Sequence, residues 1–147
     1  MAELRVADRM NRDLVTVTTA DTCHWALRVM NAAEVAEVMV LDGNRVVGIL
    51  SDRDIYRMAM QALFARPPDE RHTFLSYVNV AGVMTYAPVT VSPSAPLKEA
   101  VAIMLERGIE TVPVVERGRL LGTLSAADAL RILFEALHGA VPPDRGS

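Results

Sequence analysis

Gly48-Ile49-Leu50-Ser51-Asp52-Arg53-Asp54 and Gly122-Thr123-Leu124-Ser125-Ala126-Ala127-Asp128 follow one pattern, Gly-x-x-Ser-x-x-Asp, at an offset of 74 residues. Working outward from it, residues 6–57 and 80–131 align at the same offset without a gap, and 16 of the 52 pairs are identical. The identities fall mainly on apolar positions and glycines, among them Val6/Val80, Met10/Met84, Val17/Val91, Ala26/Ala100, Met30/Met104, Val38/Val112, Gly48/Gly122 and Leu50/Leu124. Those are the positions that a shared backbone and core demand. A chain of about 60 residues buries only about 60% of its unfolded surface, so the two copies are expected to pack into one core.

Each copy reads in the same order. A short lead, Leu4 to Met10 or Val80 to Met84, precedes a β-rich stretch at Val15-Thr16-Val17 or Val89-Thr90-Val91. Apolar residues then recur at helical spacing, through Ala26, Met30 and Ala33 in one copy and Leu97, Ala100 and Met104 in the other, where Gly108 is placed to end the helix. Two hairpins follow, Glu37 to Leu41 with Arg45 to Leu50, and Thr111 to Val115 with Arg119 to Leu124. A last helix leaves each hairpin, from about residue 52 to 65 and from about 126 to 137. The expected fold class is therefore α/β (α+β), two pseudo-symmetric β-α-β-β-α repeats packed into one module. Residues 1–66 form the first repeat, 67–79 a linker holding Pro67-Pro68, 80–138 the second repeat and 139–147 a flexible tail.

Composition narrows the function. With 51% hydrophobic residues the chain is not disordered, yet its apolar runs are too short for a membrane span, and the N-terminus has no secretory pattern. A cytoplasmic location is the expectation. Cys23 is the sole cysteine, which excludes an intrachain disulfide and a multi-cysteine metal site. A net charge of -3 and a single lysine, Lys98, argue against a broad nucleic-acid footprint. His24 lies between Cys23 and Trp25, but adjacent helical residues point about 100° apart and cannot pair as a nucleophile and base.

Ser51 with Asp54, and Ser125 with Asp128, have two readings. Serine followed three residues later by an acid, ahead of a helix, caps that helix. The same atoms suit an adenosine phosphate, because the carboxylate can accept from a ribose diol while the hydroxyl and free N–H groups receive phosphate. Gly48 and Gly122, before each motif, permit close approach.

The duplicated unit, the Val-x-x-x-Met lead, the Val-Thr-Val stretch and the Gly-x-x-Ser-x-x-Asp motif together resemble a tandem pair of cystathionine β-synthase-type (CBS) domains, a Bateman module. The resemblance covers about nine tenths of the chain and implies two clefts between the repeats that bind AMP, ADP, ATP or a related adenosyl ligand, with no required cofactor. It places Asp54 and Asp128 on ribose hydroxyls and Ser51 and Ser125 at phosphate. Adenine would be lined by Asp13, Leu14, Val15, Glu37, Val38 and Met39 in one copy and by Ala87, Pro88, Val89, Thr111, Val112 and Pro113 in the other. Arg53 stands as a phosphate contact that the second copy, with Ala127, lacks; Met39 against Pro113 is a second difference. The resemblance further implies a homodimer formed through the terminal helices. Met60 and Phe64 on one, and Leu130, Leu133, Phe134 and Leu137 on the other, carry more apolar surface than a small chain can bury alone. The functional expectation is a non-catalytic sensor that acts on a regulated protein; the rival expectation is a purely structural dimerisation domain without a physiological nucleotide.

Overall fold

The computed structural model describes residues 3–67, 69–70, 76–86 and 89–139. The first half runs α1 (Val6–Arg9), β1 (Thr16–Thr18), α2 (Cys23–Ala33), β2 (Glu37–Asp42), β3 (Arg45–Ser51) and α3 (Asp52–Leu63). The second half runs through a 3-10 turn (Val80–Gly82), β4 (Thr85–Tyr86), α4 (Leu97–Arg107), β5 (Thr111–Glu116), β6 (Arg119–Ser125) and α5 (Ala126–His138). Both hairpins and all four long helices lie where the sequence periodicity puts them. Of the expected linker, residues 68 and 71–75 lie outside the described residues, as does the expected tail beyond Gly139.

β1 pairs parallel with β2, β2 antiparallel with β3, and β3 antiparallel with β4, giving one four-stranded sheet in that order. β5 and β6 form a separate two-stranded sheet. The expected strand at Val89-Thr90-Val91 is reduced to a single parallel bridge between Val91 and Val114. The cause is Pro113. In the first copy Met39 N–H donates to Val15 O at 3.2 Å, and Pro113 occupies the position of Met39 with no N–H to give.

The described residues of 1–12, 89–116 and 121–147 form one compact unit, and those of 13–88 and 117–120 form the other. The repeats thus exchange their leads. Val6 and Ala7 N–H donate to Ala95 and Pro93 carbonyls, both at 2.9 Å, and Asn11 and Thr123 exchange N–H···O bonds at 2.8 and 2.9 Å. In the other unit Cys23 N–H reaches Val78 O and Val80 N–H reaches Asp21 O, both at 2.8 Å, while β4 adds its strand to β3. Two apolar cores result. One holds Val17, Ala26, Met30, Val38, Val40, Leu50 and Ile55 with Val80 and Met84; the other holds Val91, Ala100, Met104, Val112, Val114 and Leu124 with Val6 and Met10. Cys23 is fully enclosed in the first, and that burial pushes its thiol up to about 11.

α2 and α4 both end on a left-handed residue, Gly108 at φ 63° but Glu34 at φ 56° in the equivalent place. A side chain in that region is strained by roughly 1–2 kcal/mol, and glycine relieves it at some cost in unfolded-chain entropy. Glu34→Gly should therefore raise stability by about 0.5–1 kcal/mol. Urea denaturation checks it, and a destabilised variant contradicts it.

Candidate functional site

β3 stops and α3 starts at Ser51, which keeps an extended backbone while its Oγ accepts from Asp54 N–H at 3.1 Å. Ser51 N–H returns a bond to Asp54 Oδ2 at 3.4 Å. Ser125 and Asp128 repeat the box at α5, with Asp128 N–H to Ser125 Oγ at 3.1 Å and Ser125 N–H to Asp128 Oδ2 at 3.0 Å. Ser125 also donates its hydroxyl to Asp128 Oδ2 at 2.9 Å. The capping reading is therefore realised in both copies.

Capping engages Oδ2 of each carboxylate and leaves Oδ1 to a neighbouring arginine. Asp54 Oδ1 has Arg57 at 4.0 Å and Asp128 Oδ1 has Arg131 at 3.6 Å, with the carboxylate side chains 31% and 21% exposed. Arg57 and Arg131 were not among the expected site residues. Their signal was in the repeat, since they are an identical pair three residues beyond each aspartate.

The first-copy candidates come together at one end of the four-stranded sheet. Glu37 pairs with Ser51 across β2 and β3, Asp52 N–H donates to Ala36 O at 2.9 Å, and Val15 adjoins Met39 through its carbonyl. Asp13, Leu14 and Arg53 are exposed there, whereas Val38 and Met39 are buried and can offer a ligand only backbone. In the second copy Ala126 N–H donates to Glu110 O at 2.8 Å, which sets Ser125 and Asp128 beside Thr111. Val112 and Pro113 are buried, Val89 is half-buried, and Ala87 and Pro88 lie outside the described residues.

The unit holding Asp128 carries a cation that sequence spacing could not show. Arg9 of α1 forms a two-pronged pair with Glu135 of α5 at 2.5 and 2.8 Å. Hydrogen bonds to Glu135, and then the charges of Glu135 and Asp128, hold the Arg9 guanidinium above its ordinary value. The same hydrogen bonds hold the Glu135 carboxyl below its ordinary value. At the 74-residue offset Arg9 corresponds to Val83 and Glu135 to Gln61, so the other unit has no such pair. A carboxyl whose folded value is depressed adds stability above its unfolded value and loses it as pH falls through the folded one. Glu135→Gln should therefore melt below the parent at pH 7, and the gap should close toward pH 3. A gap independent of pH contradicts this.

Among the described residues no helix is long and apolar enough to cross a membrane, and no three His, Cys, Asp or Glu gather as a metal site.

The CBS domain model matches residues 6–60 and 80–135. The chain is 31% identical over 141 residues to a CBS domain-containing protein of Dictyostelium discoideum, covering 94% of this chain and 96% of that one. It is 36% identical over 118 residues to an inosine-5'-monophosphate dehydrogenase of Korarchaeum cryptofilum, a match that spans 80% of this chain but 22% of the enzyme. Among solved structures it resembles CBSX2 in complex with AMP, at 26% identity and a TM-score of 0.72, covering 91% of this chain and 98% of that one. Two matched copies in one chain, with the fold to go with them, make this protein a member of the CBS domain family, as a tandem pair.

Proposed function

We propose that the chain is a non-catalytic regulatory module that binds an adenine nucleotide or related adenosyl ligand at its Ser51–Asp54 and Ser125–Asp128 boxes, acts as a homodimer and is read by a partner protein. The observation that carries this is the division of labour within each aspartate: Oδ2 caps the helix, while Oδ1 takes no part in the cap and has only a half-exposed or exposed arginine beside it, which a sugar diol can displace. A helix N-terminus beside it attracts phosphate. The AMP bound by the CBSX2 relative supports the ligand class. The exposed Arg53 next to Asp54 favours more highly phosphorylated ligands there than at Asp128, where Ala127 replaces it and Arg9 is held by Glu135.

Thermal shift with ATP, ADP, AMP, NAD and S-adenosylmethionine tests the proposal. A ligand at about 100 times its Kd stabilises the native state by about 2.7 kcal/mol. Asp54→Ala and Asp128→Ala should each lose about 1 kcal/mol as a cap and, in addition, part of the ligand response; Arg53→Ala should weaken ATP more than AMP. A second reading, a dimerisation domain without a nucleotide, is favoured by the completeness of both capping boxes. It predicts the loss of stability alone, with the parent unresponsive to every ligand.

A further inference from the structure

α5 carries Asp128, Arg131 and Glu135 at positions i, i+3 and i+7, which at about 100° per residue keeps them within about 60° of one another on one face. Their charges alternate, and the two ends of the row hold different things. Asp128 belongs to the box, with Arg131 Nη1 at 3.6 Å from its Oδ1. Glu135 gives both oxygens to the fork of Arg9, at 2.5 and 2.8 Å, and Arg9 belongs to α1 in the lead. That tie is half-buried, whereas the other ion pair of the lead, Lys98 with Glu3 at 3.2 Å, lies in solvent. Arg131 is exposed, stands between the two carboxylates and precedes Glu135 by four residues, a spacing at which side chains meet on a helix. The hydrogen bonds and charge of Arg9, and then the charge of Arg131, hold the Glu135 carboxyl below its ordinary value. The first repeat has only half of the row. Asp54 and Arg57 are present at 4.0 Å, but Gln61 stands at the place of Glu135 and Val83 at that of Arg9.

We propose that Arg131 and Glu135 couple occupancy of the Asp128 box to the seating of the lead, residues 4–12, and that the Asp54 box has no such output. This coupling rests on the adenosyl-ligand reading of the box and names the regulation of that same site. A sugar diol that donates to Asp128 Oδ1 displaces Arg131, and the one other carboxylate of α5 is Glu135. Two guanidinium groups cannot both fork onto one carboxylate, so Arg9 gives up one of its two bonds and the like charges repel. The lead is then left to its backbone bonds with Pro93, Ala95 and Thr123 and to the buried Val6 and Met10, and it opens more often. Linkage makes the effect reciprocal: an opened lead frees Glu135 for Arg131 and leaves Asp128 Oδ1 to the ligand. In the first repeat an Arg57 displaced from Asp54 meets a neutral Gln61, and Val83 has no charge to release.

Amide hydrogen exchange on the full chain, read by NMR, tests the row without any ligand. Asp128→Asn keeps an oxygen for the Ser125 cap and puts an NH2 group where Arg131 is held, which frees that arginine as a diol would. Exchange at Val6, Ala7 and Asn11, measured against Val91 and Val115 of the same unit, should rise about 3-fold. Arg9→Gln, which removes the pair altogether, should give at least that rise. Arg131→Gln should leave the ratio at the parent level and should abolish the rise when added to Asp128→Asn. Asp54→Asn should leave exchange at Cys23 and Val80, which tie the other lead, unchanged. Adenosine, which has the diol and no phosphate, should reproduce the rise in the parent but not in Arg131→Gln, and should bind Arg9→Gln about 3-fold more tightly. An unchanged ratio in Asp128→Asn, a rise that persists with Arg131→Gln, an equal rise caused by Asp54→Asn, or adenosine that binds without opening the lead overturns the coupling. Failure of adenosine to bind counts against the ligand reading alone, because the Asp128→Asn result is obtained without it.

Discussion

Gly48→Ala is expected to lose about 1–3 kcal/mol of stability, seen as a fall in Tm of roughly 2–12 °C. A Cβ at Gly48 would stand 2.5 Å from Met84 Sδ and 2.8 Å from Thr85 O, and at Gly122 it would stand 2.6 Å from Asn11 O and 3.0 Å from Met10 Sδ. The methionine can swing aside; the carbonyl cannot, because it belongs to the lead strand. β4 would have to slide on β3, or Asn11 on Thr123, and the ladder bonds of the lead would lengthen. Met84→Ala beside Gly48→Ala should therefore recover only part of the loss. Gly82→Ala, which meets nothing within 4 Å, is the matched control and should stay within about ±0.5 kcal/mol. An alanine at Gly48 that behaves like the control would show that the lead is not seated against β3.

Leu124→Ala and Leu50→Ala should each lose about 2–5 kcal/mol, since each leucine is fully buried at the centre of its own core. The two sites sit in separate clusters with no residue in common, so the double variant should lose the sum. That sum is comparable with the whole stability of about 5–15 kcal/mol that a domain possesses, and the double variant should be largely unfolded at 25 °C. Guanidinium titrations of the single variants measure each loss. A loss below about 1 kcal/mol in either would mean that the surrounding valines collapse into the space.

The elements were legible because periodicity is local. The helical spacing of Ala26 and Met30, the turn at Gly43 and the stop at Gly108 are each decided within a few residues. The exchange of leads was not legible, for a specific reason: both leads carry the same Val, Ala and Met, and both sheets offer the same glycine, so the pattern fits either pairing equally well. At the site, Ser51, Asp54, Ser125 and Asp128 stood out as a repeated motif. The inward turn of Val38, Met39, Val112 and Pro113 did not, because a strand buried on both faces loses the alternation that tells its sides apart. Arg9 with Glu135 escaped notice since it joins residues 126 apart and has no counterpart at the 74-residue offset, where Val83 and Gln61 stand.

The exchanged leads impose an order on synthesis. As a nascent chain leaves the ribosome, the core around Leu50 has its own lead, Val80 to β4, as soon as residue 86 has emerged. The stretch before residue 13 meets its first backbone partners only when residues 93–97 are translated, and its last only with Thr123. Trimming those first residues should therefore injure the half that is made last and spare the half they adjoin in sequence.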